Sequence, residues 1–310
     1  MYEEFARKEA VGRSPLYEHL CLEIARDEMV LSRLMALPVE KRQPNLILSA
    51  VKYLFGVVEG WPQFRSLVQD RWREIEPIIR ARRTQTNEPA RCATLLPVLA
   101  SLPQPLALLE VGASAGLCLL PDYYGYRFNG NYVPPTHPGA VFPVFDCECN
   151  AKVPIPTANV QVAWRLGLDL SPLDVCSNED ANWLRALVWP GEGRRAELLE
   201  SALEIAKLHS PEIVQGDLRH DLPALIETVP SDATLLVFHT AVLAYVANPA
   251  DRVKFGQTVM SLGARWLSNE GLADWDEAGL PPRPWGRFSL ALDGKVLAHT
   301  DAHGKSVEWL

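Results

Sequence analysis

This chain has no long apolar run. Its longest hydrophobic stretches are cut by Glu110 and His239, well short of the roughly 20 consecutive apolar residues that a membrane span needs. It has no basic excess either. Lys and Arg number 30 against 38 Asp and Glu, a formal net charge of -8, so the footprint of general nucleic-acid binding is missing. Glu3 and Glu4 stand where a secretory signal carries positive charge, and a cytoplasmic protein is expected. Cysteine is sparse and scattered: of Cys21, Cys92, Cys118, Cys147, Cys149 and Cys176, only Cys147 and Cys149 are near neighbours. No second pair or nearby histidine completes a zinc spacing, so no metal is expected and the thiols are expected to be reduced. Asp146 and Glu148 beside the pair raise a thiol's pKa, which argues against a reactive nucleophile.

What the chain does have is ordinary globular composition, 310 residues with 48% hydrophobic and 22% charged, enough for one large or two modest domains. Leu16, Leu20, Ile24, Met29, Leu31, Leu34 and Met35 recur at near-helical spacing up to Pro38. A second apolar segment covers 46–58. A third, 63–82, is amphipathic and interrupted by Pro77, and a fourth starts at Thr86, a candidate N-cap, and runs to Pro97 or Ser101. Pro103 and Pro105 stop the helices, giving a helical N-terminal subdomain over 1–103.

From Leu106 the pattern becomes strands alternating with helices, which a parallel sheet with crossovers requires. Strands are expected at 106–111, 160–168, 212–214, 234–238 and 265–267, with helices at 179–189, 194–208, 222–229 and 249–262. A hairpin, 287–292 and 295–300, closes the chain through Asp293-Gly294. A proline- and aromatic-rich insertion, 121–158, interrupts the order after the first strand and is expected to form a lid or rim. The fold class is therefore α/β: residues 104–310 form a Rossmann-like, seven-stranded sheet of the methyltransferase type with a C-terminal antiparallel hairpin.

The first strand and the turn after it, Leu106-Ala-Leu-Leu-Glu110-Val-Gly112-Ala-Ser114-Ala-Gly116-Leu117, carry the chemistry. Small residues let a backbone approach a ligand, and a helix is expected to begin there. Glu110 would repel a pyrophosphate but favours the ammonium and sulfonium of S-adenosylmethionine. In an open parallel sheet ligands bind outside the carboxyl ends of the strands, where Glu110, Asp169, Asp217, His239, Asn269 and Glu270 would gather.

Five segments add a resemblance: 85–88 (QTNE), 109–117 (LEVGASAGL), 167–174 (GLDLSPLD), 183–190 (WLRALVWP) and 266–270 (WLSNE). Through them nearly the whole chain resembles the bacterial proteins grouped as domain of unknown function 2332, which implies a methyltransferase-like fold without a settled reaction. From the wider methyltransferase pattern, the resemblance makes Glu110, Gly112, Ser114 and Gly116 the first motif for S-adenosylmethionine. Asp169 would be the acid on the ribose hydroxyls, and Gly216-Asp217 the turn beside adenine. Ser114 stands where glycine is commoner, and Asp169 follows Glu110 at well over the ~20 residues usual for a ribose acid.

On the acceptor side, His239 could act as a base or orient a substrate, or be a satisfied structural group, and Asn269 and Glu270 carry the same alternatives. Asn87 and Glu88 sit at a helix start that would lie over the cofactor. Tyr123, Tyr124 and Tyr126 would line a substrate pocket or pack the rim. The expected activity is methyl transfer to a small or medium soluble acceptor. A non-catalytic cofactor- or partner-binding protein is the alternative on the same scaffold. A third reading takes Gly112-Ala-Ser114-Ala-Gly116 as a G-x-S-x-G nucleophile elbow, with Asp217 or Asp274 and His299 or His303 completing a hydrolase triad. Glu110 within the strand and the lack of an HGGG-type oxyanion loop count against it.

Overall fold

The computed structural model describes residues 1–85, 87–271 and 283–310. Thr86, expected to cap a helix, and Asp274, a candidate for the hydrolase triad, lie outside the described residues. The chain divides into two compact units: Met1–Thr86 with Cys176–Glu197, and Asn87–Val175 with Leu198–Leu310. The division falls earlier than the expected boundary at 103, so the helix Arg91–Ser101 belongs with the sheet.

The first unit is helical. Helices run over Pro15–Ile24, Glu28–Met35, Pro44–Phe55, Trp61–Asp70, Trp72–Ala81 and Asn178–Leu187. Ser14, Asp27 and Ser177 cap three of them by accepting a backbone N–H three residues on. Pro77 sits inside a helix; the break in the third expected segment falls at Arg71. Lys52 donates to the carbonyls of Arg185 and Val188, and Trp183 Nε1 donates to the Arg83 carbonyl at 3.0 Å. These bonds fasten the helix Asn178–Leu187 to the N-terminal helices although it is far away in sequence.

Among the described residues, the second unit is built on one mixed sheet of eleven strands. They are β1 (Leu106–Val111), β2 (Gly125–Phe128), β3 (Asn131–Val133), β4 (Val144–Cys149), β5 (Val162–Asp169) and β6 (Ile213–Gln215). The rest are β7 (Thr234–Thr240), β8 (Arg265–Glu270), β9 (Arg287–Leu292), β10 (Lys295–Asp301) and β11 (Ser306–Trp309). Their order is β3-β2-β4-β11-β10-β9-β8-β7-β1-β5-β6.

The sheet is larger than the seven strands expected. Within the insertion, β2, β3 and β4 extend the sheet through β4–β11 pairing rather than forming a lid. In β4, Phe145 and Cys147 are buried while Asp146 and Glu148 are exposed, a period-two pattern hidden among prolines. The neighbours β6-β5-β1-β7-β8 are all parallel. Chain order therefore reverses direction between β1 and β7, where an open α/β sheet leaves a crevice. All six residues of β1 are buried. On one face Leu109, Val111, Val237 and Trp266 pack with Leu222, Leu243, Phe255 and Val259 into an apolar core.

Candidate functional site

The loop after β1 departs from expectation in one respect: no α-helix succeeds it. Residues Leu117–Leu119 and Pro121–Tyr123 form single 3-10 turns. Gly112, Ser114 and Gly116 all have positive φ, at 71°, 53° and 72°, which a continuing right-handed helix cannot contain. The Leu117 N–H donates instead to Asn87 Oδ1 at 2.8 Å. Asn87 thus holds the end of the loop. The missing side chain of Gly112 is filled from within, since a Cβ there would lie 2.4 Å from Cγ2 of Val242.

Glu110, at the end of β1, is buried, and its Oε2 has no hydrogen-bond partner. Burial, reinforced by Cys118 and Asp169, pushes its carboxyl well above the ordinary carboxylate range, while Arg91 pulls it back. Register places its neighbours. Glu110 pairs with Phe238, and two residues further along Thr240 pairs with Asn269 and Asn269 with Leu290. Paired residues share a face and faces alternate, so Glu110, Thr240 and Asn269 lie on one side of the sheet. Arg91 Nη1 donates to Thr240 Oγ1 at 3.1 Å and its Nε to the Ala302 carbonyl at 2.9 Å. Asn269 Oδ1 accepts from Thr300 at 2.7 Å, while its Nδ2 is buried without a partner.

His239 and Glu270 point to the opposite face, with Trp266 and Val111. The expected single cluster is therefore divided between the two sides of the sheet. His239 is fully buried, its Nδ1 is 2.7 Å from Glu270 Oε1, and Trp266 Nε1 is 3.0 Å from its Nε2. An indole N–H only donates, so Nε2 accepts and the imidazole proton is on Nδ1, donated to Glu270. With both nitrogens engaged, His239 offers none to a substrate in this arrangement. Glu270 Oε1 also accepts the Val242 N–H at 2.8 Å, and Oε2 is buried without a partner.

Asp169, at the end of β5, accepts the Ser114 N–H on Oδ2 and the Ser171 N–H on Oδ1, both at 2.8 Å. It ties the glycine loop to its own. Asp217 is engaged with Arg219, whose side-chain hydrogen bonds hold its carboxyl down at about 2, and its N–H donates to Asp221. Glu88 is buried, accepts from the Ala90 N–H at 3.3 Å and lies 3.6 Å from His303 Nδ1.

Tyr124 is fully buried, with its hydroxyl donating to the Leu117 carbonyl at 2.8 Å. Tyr126 likewise donates to the Pro121 carbonyl. Tyr123 packs its ring against His209 and His137, with the Arg165 guanidinium 5.3 Å from its centroid. Arg165 in turn forms a two-pronged pair with buried Asp122.

Sequence reasoning missed Arg91, Val242 and Trp266. Arg91 had a signal, the only charge in the otherwise apolar helix Arg91–Ser101; Val242 had none. The hydrolase geometry is not assembled by these contacts. The elbow lacks its helix, Asp217 is bound to Arg219, His303 faces Glu88, and Asp274 is outside the described residues. Among the described residues no group of three or more His, Cys, Asp or Glu is placed to hold a metal ion, and no helix is long and apolar enough to cross a membrane.

The described residues make a mixed α/β protein built on one large mixed sheet. The chain belongs to the family described as "uncharacterized protein conserved in bacteria (DUF2332)", whose model matches residues 1–309. No curated protein and no solved structure matches it.

Proposed function

We propose that the protein is a methyltransferase that uses S-adenosylmethionine and acts on a small or medium soluble acceptor. The observation that carries this reading is Glu110: a buried carboxyl with an unpartnered Oε2, at the end of β1, the strand beside which chain order reverses. A desolvated acid without a partner is costly. A cationic ligand removes that cost, and an anionic one increases it.

Glu110 would face the cofactor's ammonium and sulfonium, and the backbone of 113–116 would lie against it. A carboxylate oxygen accepts more than one donor, so Asp169 can take a ribose hydroxyl besides the N–H groups of Ser114 and Ser171. When bound, the cofactor supplies a methyl group on a positively charged sulfur. The chain's own part is to hold the partners in line and exclude water, which explains why no obligatory catalytic signature is needed.

Isothermal titration of the folded, ligand-free protein with S-adenosylhomocysteine tests the reading. Saturable binding is expected, weakened by about 1.5–3 kcal/mol in Asp169→Ala, the range for hydrogen bonds to a charged group. Absence of heat at millimolar ligand would refute it.

A further inference from the structure

The helical unit, Met1–Thr86 with Cys176–Glu197, carries polar groups that methyl transfer does not use. It contains a cavity whose wall is aliphatic and aromatic, with Leu16, Leu20, Leu48, Val51 and Phe64 among the lining residues. With its opening to solvent the space measures about 210 Å³, and its closed part has room for about one water molecule. Two lining residues bring a polar side chain: Tyr17 from the helix Pro15–Ile24 and Lys52 from the helix Pro44–Phe55.

Both are donors with capacity to spare. Tyr17 is buried, and its hydroxyl has no partner among the described residues. Burial pushes its pKa above the ordinary phenol value, so the hydroxyl keeps its proton. Lys52 Nζ donates to the carbonyls of Arg185 at 3.0 Å and Val188 at 2.5 Å, which leaves the third N–H of an ammonium unused. Burial and Arg195 lower the Lys52 pKa and Glu192 raises it, so a further negative charge would favour the ammonium. A water molecule accepting from both donors would turn its own hydrogens toward a mostly aliphatic wall. An anion needs donors alone. The closed space suits a single atom better than an oxyanion.

We propose that this cavity is a binding site for a chloride-sized anion, to which Lys52 Nζ and the Tyr17 hydroxyl both donate. The ion would fasten the helices Pro15–Ile24 and Pro44–Phe55 to the segment after Leu187 that Lys52 already holds. The site is independent of the methyltransferase reading.

Thermal unfolding of the full chain in sodium chloride and in sodium methanesulfonate, at equal ionic strength and neutral pH, tests it. Methanesulfonate is too large for the closed space. In the wild type, chloride should raise Tm above the methanesulfonate value along a saturating curve, by about 2–3 °C at about tenfold its Kd. Tyr17→Phe removes only the hydroxyl and should lose most of that rise. No chloride-specific rise in the wild type, or an equal rise in Tyr17→Phe, overturns the proposal and leaves the cavity to water. A second readout does not depend on the variant folding: the 35Cl resonance should be broadened by the wild type and sharpened again by bromide but not by methanesulfonate. A width that the protein leaves unchanged overturns the site as well.

Discussion

Gly112 shows how a residue without a side chain is fixed by its surroundings. Its φ of 71° is left-handed, and an added Cβ would meet Val242 at 2.4 Å. Gly112→Ala is therefore expected to destabilise the protein by about 1–3 kcal/mol in urea unfolding, the scale of overpacking. Val242→Ala in the same chain should recover part of that loss. No recovery would mean that backbone strain, and not Val242, is the cause. At this scale the sequence was informative where chemistry requires a residue type and silent where only packing decides. Glu110 stands out as an acid in an apolar strand. Nothing in Tyr124 shows that its hydroxyl is used on the Leu117 carbonyl, and nothing in His239 shows that an indole 27 residues away occupies its ring. Such partners are set by sheet register, which a single sequence does not display.

Among the elements, β1, β5, β6, β7, β8 and the hairpin β9–β10 lie within about three residues of the positions read from the sequence; for β1 and β7 this is because buried parallel strands leave uninterrupted apolar blocks. The turn after β1 was misread as a helix start, since small residues suit both a helix entry and a chain of left-handed positions. Within the insertion, expected as a lid or rim, 124–128 reads as a short strand and matches β2, whereas β3 and β4 are hidden because prolines mask alternation. One element-level device is open to direct test. Glu192 pairs with Arg13 at 2.8 Å and with Arg195 at 2.7 Å, clasping the chain start to the segment after the helix Asn178–Leu187. Burial alone would raise its pKa, but the two guanidinium groups outweigh it and hold the carboxyl at about 2, below the ordinary 4.5. A lowered folded pKa means that the stabilisation is full above about pH 4.5 and is lost as pH falls toward 2. Glu192→Gln should thus cost roughly 1–2 kcal/mol at pH 7 after solvent screening is allowed for, and converge with wild type near pH 2. A gap that persists unchanged at low pH would contradict this.

At the scale of the whole molecule, one buried acid sits at the point where strand order reverses. Its raised pKa means that the folded state holds a proton the unfolded chain has released. Stability is thus highest below the ordinary carboxyl range and declines as pH rises through and above it. Glu110→Gln should remove that decline and leave the free protein more stable than wild type by roughly 1–3 kcal/mol at pH 8, the cost of a desolvated unpartnered group. The same residue should make cation binding release a proton. S-adenosylmethionine and S-adenosylhomocysteine both carry the ammonium, so their affinity should rise with pH in the wild type and lose that dependence in Glu110→Gln. The most direct measurement is calorimetry of S-adenosylhomocysteine binding between pH 6 and 8, in buffers of different ionisation enthalpy, for wild type and Glu110→Gln. Saturable binding with proton release is expected in the wild type, and markedly weaker binding without proton release in the variant. Equal affinity and equal proton release in the two proteins would contradict the central role of Glu110.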